Sequence, residues 1–482
     1  IPRAALQLLP GSGDTVGAAL VADARIRGVL FTGSTEVAAL INRQLAQRGA
    51  TQGCALPLIA ETGGQNAMIV DSSALPEQVV QDVLVSAFDS AGQRCSALRV
   101  LCLQDEIADH VLGMLKGALQ ELRIGVPDRL ATDVGPVIDE DARRALTDYI
   151  DRAGGHALEL FQLPLPGTCR RGSFVAPTVI VIDDFSRLRH EVFGPVLHVL
   201  RYRREQLPQL LAQINASGYG LTLGIHSRID DTVENIVARA HVGNIYVNRN
   251  MVGAVVGVQP FGGEGKSGTG PKAGGPLYLR RLQHAPDSGS PASDLAMQAP
   301  ARDTGLEALQ DWARANGDTV LIALTQRYGQ HSLLGRVLSL PGPTGESNTL
   351  RFVARGAVLC AAADRAALVN QLAAVLATGN QALMCASAYA MLPLGLPQSV
   401  SARIIIVADV ASHRAISLAL CDQACCAAQL PVLAAREGAL TPVAQTHGSE
   451  PIALWRLVAE RTVSVNTTAA GGNASLMTLE PG

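Results

Sequence analysis

Short apolar runs alternate with helical patterns along the chain, and this alternation is what most constrains its fold. Near the start, residues 6–9 predict a strand, residues 15–24 a helix and residues 29–31 a second strand. Later apolar runs at 98–103 and 222–227 also have the length and composition of buried strands, and residues 174–178 fit an edge strand that proline ends. Strands that alternate with helices form β-α-β units, which require a parallel sheet. The sequence therefore predicts an α/β fold of open parallel sheets covered by helices.

The composition is that of a globular protein with large cores. The chain has 482 residues, of which 48% are hydrophobic and 17% charged, with a formal net charge of −3. That length is sufficient for two or three domains. The charge offers no basic surface for phosphate backbones, so we expect no nucleic-acid partner. No apolar run approaches the roughly 20 residues of a membrane helix, so we expect no transmembrane segment.

The nine cysteines show no paired spacing typical of a secreted disulfide framework, which favours a reducing, cytoplasmic location. Cys421, Cys425 and Cys426 fall in an alanine-rich helical pattern without a histidine at ligand spacing. Structural zinc normally needs four convergent ligands. We therefore predict no metal site.

The run Gly-Gln-Arg-Cys-Ser-Ala at residues 92–97 contains the strongest candidate nucleophile, Cys95. A thiol attacks as its thiolate, which a nearby cation or exposed backbone N–H groups stabilise, and this segment can supply both. Most free cysteines are buried and inert, so the neighbouring motifs decide the interpretation. Upstream, Glu61 ends an apolar run and precedes two glycines. A carboxylate desolvated at the mouth of a sheet can act as a general base on water.

Gly33 and Ser34 form a candidate helix start. Ser34 can cap a helix that begins at Thr35, which leaves backbone N–H groups free for a pyrophosphate. An ordinary helix cap is the alternative interpretation.

Four motifs carry a family resemblance. They are Phe-Thr-Gly-Ser-Thr-Glu at 31–36, Glu-Thr-Gly-Gly at 61–64, Gly-Gln-Arg-Cys at 92–95 and Glu-Val-Phe-Gly-Pro at 191–195. Their order is similar to that in aldehyde dehydrogenases, and most similar to the L-glutamate γ-semialdehyde (pyrroline-5-carboxylate) dehydrogenase branch. The glycine-rich run at 262–272 resembles that of the bifunctional proline utilization A proteins. The resemblance covers the whole chain, though unevenly.

The resemblance implies a domain layout. Residues 1–283 would form an N-terminally truncated aldehyde dehydrogenase domain, with 1–60 in a partial Rossmann-like NAD-binding region and 61–250 mainly in the catalytic region. Residues 284–304 are rich in proline, serine and glycine and predict a linker. Residues 305–465 resemble a second, degenerate and catalytically silent copy of the fold, followed by a tail at 466–482. The chain begins without methionine, so we expect a longer protein in which any FAD belongs to a preceding proline dehydrogenase part.

The resemblance also implies NAD-dependent oxidation of L-glutamate γ-semialdehyde to L-glutamate in proline catabolism. Cys95 would attack the aldehyde to give a thiohemiacetal, loss of hydride would leave a thioester, and Glu61 would activate the hydrolytic water. Donors to the oxyanion would be the Cys95 backbone N–H and a family asparagine that would lie before Ile1.

Further site residues follow from the same resemblance. The cofactor-binding residues would be Gly33, Ser34, Thr62, Gly63, Glu191 and Phe193. Glu191 would accept hydrogen bonds from the nicotinamide ribose, with Phe193 beside the ring. The substrate-binding residues would be Arg94, Ser96, Ser267, Gly268, Phe88 and Phe261. Ser96, Ser267 and Gly268 would bind the α-carboxylate, while Phe88 and Phe261 would enclose the aliphatic chain.

Two other functions remain open from the residues alone. The C-terminal part and its tail could cover a tunnel or join protomers in a non-catalytic assembly role. Alternatively, Cys95 and Glu61 could serve a cysteine-dependent acyl transferase or amidase that needs no dinucleotide. His190 and His226 are unrelated to Cys95 in sequence, which gives a cysteine–histidine dyad little support. We expect a small-molecule substrate and a homo-oligomer, and the choice between NAD and NADP stays open.

Overall fold

The computed structural model describes residues 2–283, 301, 303–413 and 415–468. Most of the predicted linker at 284–304, and residues 469–482 of the predicted tail, lie outside the described residues. Within the described part, no helix is long and apolar enough to cross a membrane.

The first part of the chain, before residue 284, alternates strands and helices. Its strands are β1 (Val29–Thr32), β2 (Leu58–Glu61), β3 (Ala67–Val70), β4 (Val100–Gln104), β5 (Glu159–Gln162), β6 (Thr178–Ile182), β7 (Val196–Tyr202), β8 (Tyr219–Gly220), β9 (Thr222–His226), β10 (Asn244–Val247) and β11 (Glu264–Gly265). Its α-helices are α1 (Ala18–Ala22), α2 (Thr35–Gln52), α3 (Pro76–Phe88), α4 (Asp105–Gln120), α5 (Glu140–Gly154), α6 (Leu207–Ala216), α7 (Asp230–Arg239) and α8 (Tyr278–Leu282).

The C-terminal part, from residue 303 onward, alternates in the same way. Its strands are β12 (Val337–Leu340), β13 (Glu346–Ala354), β14 (Ala357–Ala361), β15 (Gln381–Cys385), β16 (Ile404–Val407), β17 (Ile416–Asp422), β18 (Val443–Thr446) and β19 (Val458–Asn466). Its α-helices are α9 (Thr304–Ala315), α10 (Thr319–His331), α11 (Arg365–Ala377), α12 (Ala386–Met391), α13 (Gln398–Ser401) and α14 (Gln423–Ala435).

The central sheet has ten strands in the order β12-β13-β19-β10-β9-β3-β4-β7-β6-β5. The strands from β19 to β6 pair in parallel, and the antiparallel pairings lie at the two ends. Strands β3, β4 and β9 are buried at every residue, as expected for parallel strands covered on both faces. The predicted α/β fold with parallel sheets is confirmed.

Both parts of the chain build this sheet. Strand β19 pairs in parallel with β10, with Thr462 opposite Asn244, and so extends the sheet of the first part. The C-terminal part also forms its own five-stranded parallel sheet in the order β16-β15-β14-β17-β18. Its helix α14 packs against α2 through Leu430 and Leu433, which share a buried cluster with Ala46.

The N-terminal segment differs from its prediction. Residues 6–9 form no strand, and Leu6 and Leu8 are 75% and 88% exposed. A strand needs a pairing partner to satisfy its backbone groups, and this segment has none in the part of the chain described. The helix predicted at 15–24 is a π-helical turn over Gly13–Gly17 followed by the short α1.

The strand predicted at 174–178, with proline ending an edge strand, is also wrong. Strand β6 begins at Thr178, directly after Pro177, and lies between β7 and β5. Proline has no N–H to donate to a ladder, so it precedes this interior strand rather than ending an edge strand.

Candidate active site

A cavity of about 850 Å³ opens where β1, β2, the Cys95 loop and the segment after residue 189 meet. It brings together eleven of the predicted site residues, namely Gly33, Ser34, Glu61, Thr62, Gly63, Arg94, Cys95, Ser96, Glu191, Phe193 and Phe261. Motifs that are far apart in sequence therefore meet at one site of a size suited to a small-molecule ligand.

The loop that presents Cys95 has an unusual backbone. Ser90, Ala91 and Gly92 have φ values of 56°, 54° and 65°, in the left-handed region. A Cβ on Gly92 would lie 2.2 Å from the carbonyl oxygen of Gly194, so only glycine fits there. Strain of this kind persists where surrounding contacts fix the chain. The loop leaves Cys95 half-buried at the cavity wall.

Asn66 fixes the far side of the same loop. Its Nδ2 donates to the carbonyl oxygens of Cys95, at 2.7 Å, and Ala97, at 2.9 Å. Its Oδ1 accepts from the backbone N–H of Thr222, at 3.2 Å. Asn66 is 2% exposed and ties the nucleophile's backbone to the central sheet. The sequence analysis missed this residue, although it follows the Glu-Thr-Gly-Gly motif closely.

The ionisation of Cys95 differs from the prediction. Burial raises the pKa of the thiol, and the carboxyls of Glu191 and Glu61 raise it further. The backbone N–H groups of Ser96 and of Cys95 itself lower it, but burial is the larger effect. Arg94 is the cation expected to stabilise the thiolate, but it is not among the groups that lower the pKa of Cys95. Its Nε instead donates to Ser90 Oγ at 3.0 Å. The Cys95 thiol is therefore harder to ionise here than a free cysteine.

Glu61 ends β2, as the sequence predicts. Its Oε2 accepts from the backbone N–H of Gly263 at 3.1 Å, and its buried Oε1 has no hydrogen-bond partner in the described structure. Burial raises the pKa of the carboxyl to about 8, with Glu460 raising it further and Gly263 and Lys272 lowering it. A carboxyl that titrates this close to neutrality is matched to accepting a proton from water.

Glu191 is held by a fully buried arginine. Arg99 Nη2 donates to Glu191 Oε1 at 3.0 Å and to the carbonyl oxygen of Arg94 at 3.1 Å, while Nη1 donates to the carbonyl oxygen of Gly92 at 2.7 Å. Burial raises the pKa of Glu191, and Arg99 opposes that shift. One side chain thus joins the Cys95 loop to the Glu191 carboxylate. No sequence motif predicts the role of Arg99. Its only notable feature in the sequence is a positive charge at the edge of an apolar run.

The predicted dinucleotide residues form a cradle. Ser34 caps α2, accepting from the Val37 N–H at 3.3 Å, as predicted. A Cβ on Gly63 would lie 1.7 Å from Glu191 Oε2, so glycine is required for the carboxylate to approach this backbone. Phe193 is 46% exposed at the cavity. The cavity therefore combines the N-terminus of a helix, a glycine backbone without a side chain, a carboxylate and an exposed aromatic ring. This combination fits a dinucleotide.

Three predicted substrate residues lie outside the cavity. Phe88 is 1% exposed in the core under α3. Ser267 is fully buried, and its Oγ accepts from the Gly220 N–H at 3.0 Å, so that hydroxyl is already used. Gly268 pairs with Glu61 through an isolated bridge. Ser267 and Gly268 therefore support the loop beside Glu61, and the structure does not bring them or Phe88 to the cavity that holds Cys95.

The cavity wall instead includes Gly253 and Ala254, together with Tyr219 and His190. Gly253 has a φ of 73°, and a Cβ there would lie 3.9 Å from Arg94 Nη1. The loop at Gly253 thus faces the substrate side of the Cys95 loop. A single glycine after a strand was the only sequence signal for it.

A cysteine–histidine dyad has no support in the structure. Among the hydrogen bonds of the described residues, none joins the Cys95 thiol to a histidine. His226 is buried, and burial lowers its pKa to about 4. In the same part of the chain, no group of three or more histidine, cysteine, aspartate or glutamate side chains could hold a metal ion.

Comparison with known proteins places these features in a family. Residues 1–284 match the aldehyde dehydrogenase family. The chain is 53% identical over 503 residues to the bifunctional protein PutA of Escherichia coli K12, covering 99% of this chain and 38% of that protein. It is 37% identical over 281 residues to the 1-pyrroline-5-carboxylate dehydrogenase of Geobacillus kaustophilus, covering 58% of this chain and 54% of that protein. The chain thus spans less than two fifths of the PutA relative.

Solved structures give the same assignment. A variant of Bradyrhizobium japonicum proline utilization A superposes with a TM-score of 0.56 at 58% identity, covering 58% of this chain and 28% of the other. A Thermus 1-pyrroline-5-carboxylate dehydrogenase with bound NAD superposes with a TM-score of 0.53 at 38% identity, covering 57% and 52%. The matched family region contains Cys95, Glu61 and Glu191. The chain therefore belongs to the aldehyde dehydrogenase family.

Proposed function

We propose that this chain catalyses the NAD-dependent oxidation of L-glutamate γ-semialdehyde to L-glutamate, in proline catabolism. The observation that carries the proposal is the convergence of Cys95, Glu61 and Glu191 on one cavity. The names of the PutA and 1-pyrroline-5-carboxylate dehydrogenase relatives supply the substrate class.

Cys95 is the proposed nucleophile. Its thiolate adds to the aldehyde carbon to give a thiohemiacetal, whose oxyanion accepts from the Cys95 backbone N–H. Bound NAD would supply the hydride acceptor, so that loss of hydride from the thiohemiacetal would leave a thioester on Cys95, and the positive charge of NAD would offset the carboxyls that raise the thiol's pKa. Arg99 and Asn66 hold the loop carbonyls, which keeps the sulfur facing the cavity.

Glu61 is the proposed base for the second half of the reaction. Its unpartnered Oε1 can accept a proton from water, and the resulting hydroxide attacks the thioester on Cys95. The products are the carboxylate, the free thiol and the reduced coenzyme. Burial beside the cavity keeps the carboxyl's pKa near 8, so it both accepts and releases protons near neutrality.

The proposed coenzyme residues are Gly33, Ser34, Thr62, Gly63, Glu191 and Phe193, and all six line the cavity. Thr62 Oγ1 donates to the Lys266 carbonyl oxygen at 2.5 Å and its N–H donates to the Ser267 carbonyl oxygen at 3.0 Å, so both of its donors are already used. The proposed substrate residues are Arg94, Ser96 and Phe261, with Gly253 and Ala254 added by the structure. Ser96 and Arg94 suit a carboxylate, and Phe261 suits an aliphatic chain.

The remaining predictions are parts of the same proposal. Residues 1–283 form the catalytic unit, 305–465 the silent second copy and 466–482 the tail, with 284–304 as linker between them. FAD is not bound by this chain, which works in the cytoplasm as a homo-oligomer. Light scattering on the purified protein tests the oligomeric state, and deletion of the tail tests the alternative assembly role.

The test uses the protein as its complete gene encodes it. Absorbance of NADH at 340 nm should rise with glutamate semialdehyde and stay flat for Cys95→Ser. Cys54→Ser is the matched control, because Cys54 is also half-buried but lies outside the cavity. Nucleotide-independent cleavage of amides, lost in Cys95→Ser, would replace the proposal with the amidase alternative.

A further inference from the structure

The glycine-rich loop behind Glu61 lies between two buried carboxylates. On one side, Gly263 N–H donates to Glu61 Oε2 at 3.1 Å. On the other, the Lys272 N–H donates to Glu460 Oε2 at 2.8 Å. Glu460 belongs to β19, in the C-terminal part, and is 9% exposed. A residue about 400 positions along the chain from Glu61 thus anchors the loop that contacts it.

The Lys272 side chain is buried against the glycine-rich loop that contacts Glu61. It is 2% exposed, and Nζ donates to Asn244 Oδ1 at 2.7 Å and to the Gly262 carbonyl oxygen at 2.8 Å. A Cβ on Gly262 would lie 2.8 Å from Glu61 Oε1 and 3.2 Å from the Lys272 Cα. Both groups therefore border the same glycine. In this low-dielectric environment their charges interact more strongly than they would in water.

Pairing of β19 with β10 fixes this arrangement. Thr462, two residues after Glu460, lies opposite Asn244 in the parallel ladder, and its N–H donates to the Gly243 carbonyl oxygen at 2.8 Å. Asn244 in turn accepts from Lys272 Nζ. The register that places Glu460 beside the loop is therefore the register that positions Lys272.

Two of the buried oxygens have no hydrogen-bond partner in the described structure. They are Glu61 Oε1, which lies near Gly262 and Gly268, and Glu460 Oε1, which lies near Gly275. The strand of the C-terminal part therefore brings a carboxylate to the loop that also contacts the proposed base, and Lys272 belongs to that same loop.

We propose that Glu460 and Lys272 are positioning residues that set the charge facing Glu61 and thereby control thioester hydrolysis on Cys95. This inference rests on the function proposed above, and it adds a role for the C-terminal part in the chemistry of the first part. Consistent with the geometry, Glu460 raises the pKa of Glu61 and Lys272 lowers it. Burial lowers the pKa of Lys272 and raises that of Glu460, and each group opposes the shift of the other.

Other groups face this trio and are common to every variant below. They are Cys95 and Tyr278 toward Glu61, Glu264 and Arg461 toward Lys272, and Arg355 toward Glu460. Glu264 and Arg461 form an ion pair with each other at 3.3 Å. The charges of Glu264 and Arg461 therefore largely cancel. The variants below change only the charges of Lys272 and Glu460.

The test compares Glu460→Gln, Lys272→Met and the double variant in the protein encoded by the complete gene. The glutamine in Glu460→Gln keeps an oxygen for the Lys272 N–H but removes the negative charge. The methionine in Lys272→Met nearly keeps the length of the side chain but removes the positive charge. The readout is the pH dependence of NADH formation, with the pre-steady-state burst reporting hydride loss and the following linear phase reporting hydrolysis.

We expect the acid limb of the linear phase to move to lower pH in Glu460→Gln and to higher pH in Lys272→Met. One pH unit below the wild-type midpoint, Glu460→Gln should hydrolyse about three- to fivefold faster and Lys272→Met about three- to fivefold slower, relative to each variant's own plateau. The double variant should return toward the wild-type limb. Glu437→Gln, an exposed carboxyl of the C-terminal part, is the control and should not move it.

Other outcomes overturn the inference. If the acid limbs of the pH profiles stay in place while the thermal stability of the variants falls, Glu460 and Lys272 only support the fold. Limbs that move in the same direction would mean that loop distortion, and not charge, acts on Glu61. Neither result would affect the proposed function, which fails only if the wild-type protein forms no NADH from the semialdehyde.

Discussion

The raised pKa of Glu61 makes a prediction about stability as well as about rate. The free carboxyl ionises near 4.5 and the folded one near 8, because burial disfavours the charged form. The folded protein therefore holds the proton more tightly than the unfolded chain. Stability contributed by this group is complete below pH ~4.5, falls as the pH rises, and reaches its minimum above pH ~8.

Replacement of Glu61 by glutamine removes this dependence. The amide in Glu61→Gln is neutral at every pH and keeps an oxygen to accept the Gly263 N–H. Each pKa unit corresponds to about 1.4 kcal/mol, so the difference between 4.5 and about 8 sets an upper bound of about 5 kcal/mol. We expect Glu61→Gln to match the wild type at pH 5 within about 1 kcal/mol, and to be more stable by about 3–5 kcal/mol at pH 9.

The assay is the thermal unfolding midpoint of the two proteins measured from pH 5 to pH 9. For a protein of this size, about 1–2 °C corresponds to 1 kcal/mol, so the midpoints should separate by roughly 3–10 °C at pH 9. The hydrolysis step of the variant should fall by about 10²–10⁴-fold, since glutamine accepts no proton. Two curves that run parallel from pH 5 to pH 9 would show that Glu61 is not desolvated, and would remove the basis for its role as a base.

Three further substitutions test the wall shared by Cys95 and Glu191. Arg99→Met leaves the Glu191 carboxylate and the loop carbonyls without their donor, and should destabilise the protein by about 3–5 kcal/mol in thermal unfolding. Glu191→Gln keeps an acceptor for Arg99, so it should unfold near the wild-type temperature while raising the KM for NAD; a large loss of stability would contradict this. Removal of that carboxylate should also lower the pKa of Cys95, seen as faster iodoacetamide labelling at pH 8. Gly63→Ala places a Cβ 1.7 Å from Glu191 Oε2 and should weaken NAD binding at least about tenfold. Titration calorimetry measures this affinity, and an unchanged affinity would show that NAD does not bind at Gly63 and Glu191.

The parts of the site that the sequence predicts are those carried by contiguous motifs. Ser34 caps α2 and Glu61 ends β2 because the residues that decide each feature are neighbours in the chain. The alternation of strands and helices also predicts the parallel sheets, because the spacing of apolar residues and the residues that form turns are local features of the sequence. Residues 6–9 show the limit of this reasoning, because an apolar run becomes a strand only when another strand is available to pair with it.

The supporting residues could not be predicted in the same way. Arg99 binds the carbonyl oxygens of Gly92 and Gly194 and the carboxylate of Glu191, and no spacing in the sequence reports those distances. The predicted role of Ser267 in binding the substrate carboxylate meets the same limit, because contacts between distant residues are not visible in the sequence. A serine in a glycine-rich loop suggests an anion site, but its hydroxyl accepts from the Gly220 N–H once β8 and β11 pair.

Under the proposed function, the contact of Glu460 with the glycine-rich loop links the C-terminal part to catalysis. Glu460 reaches the loop behind Glu61 only because β19 joins the sheet of the first part beside β10. A strand of the C-terminal part is therefore not a passive extension of the sheet, since its register decides whether Glu460 lies beside Lys272. A one-residue slip would turn Glu460 to the opposite face of the sheet and leave the Lys272 charge unbalanced beside the proposed base.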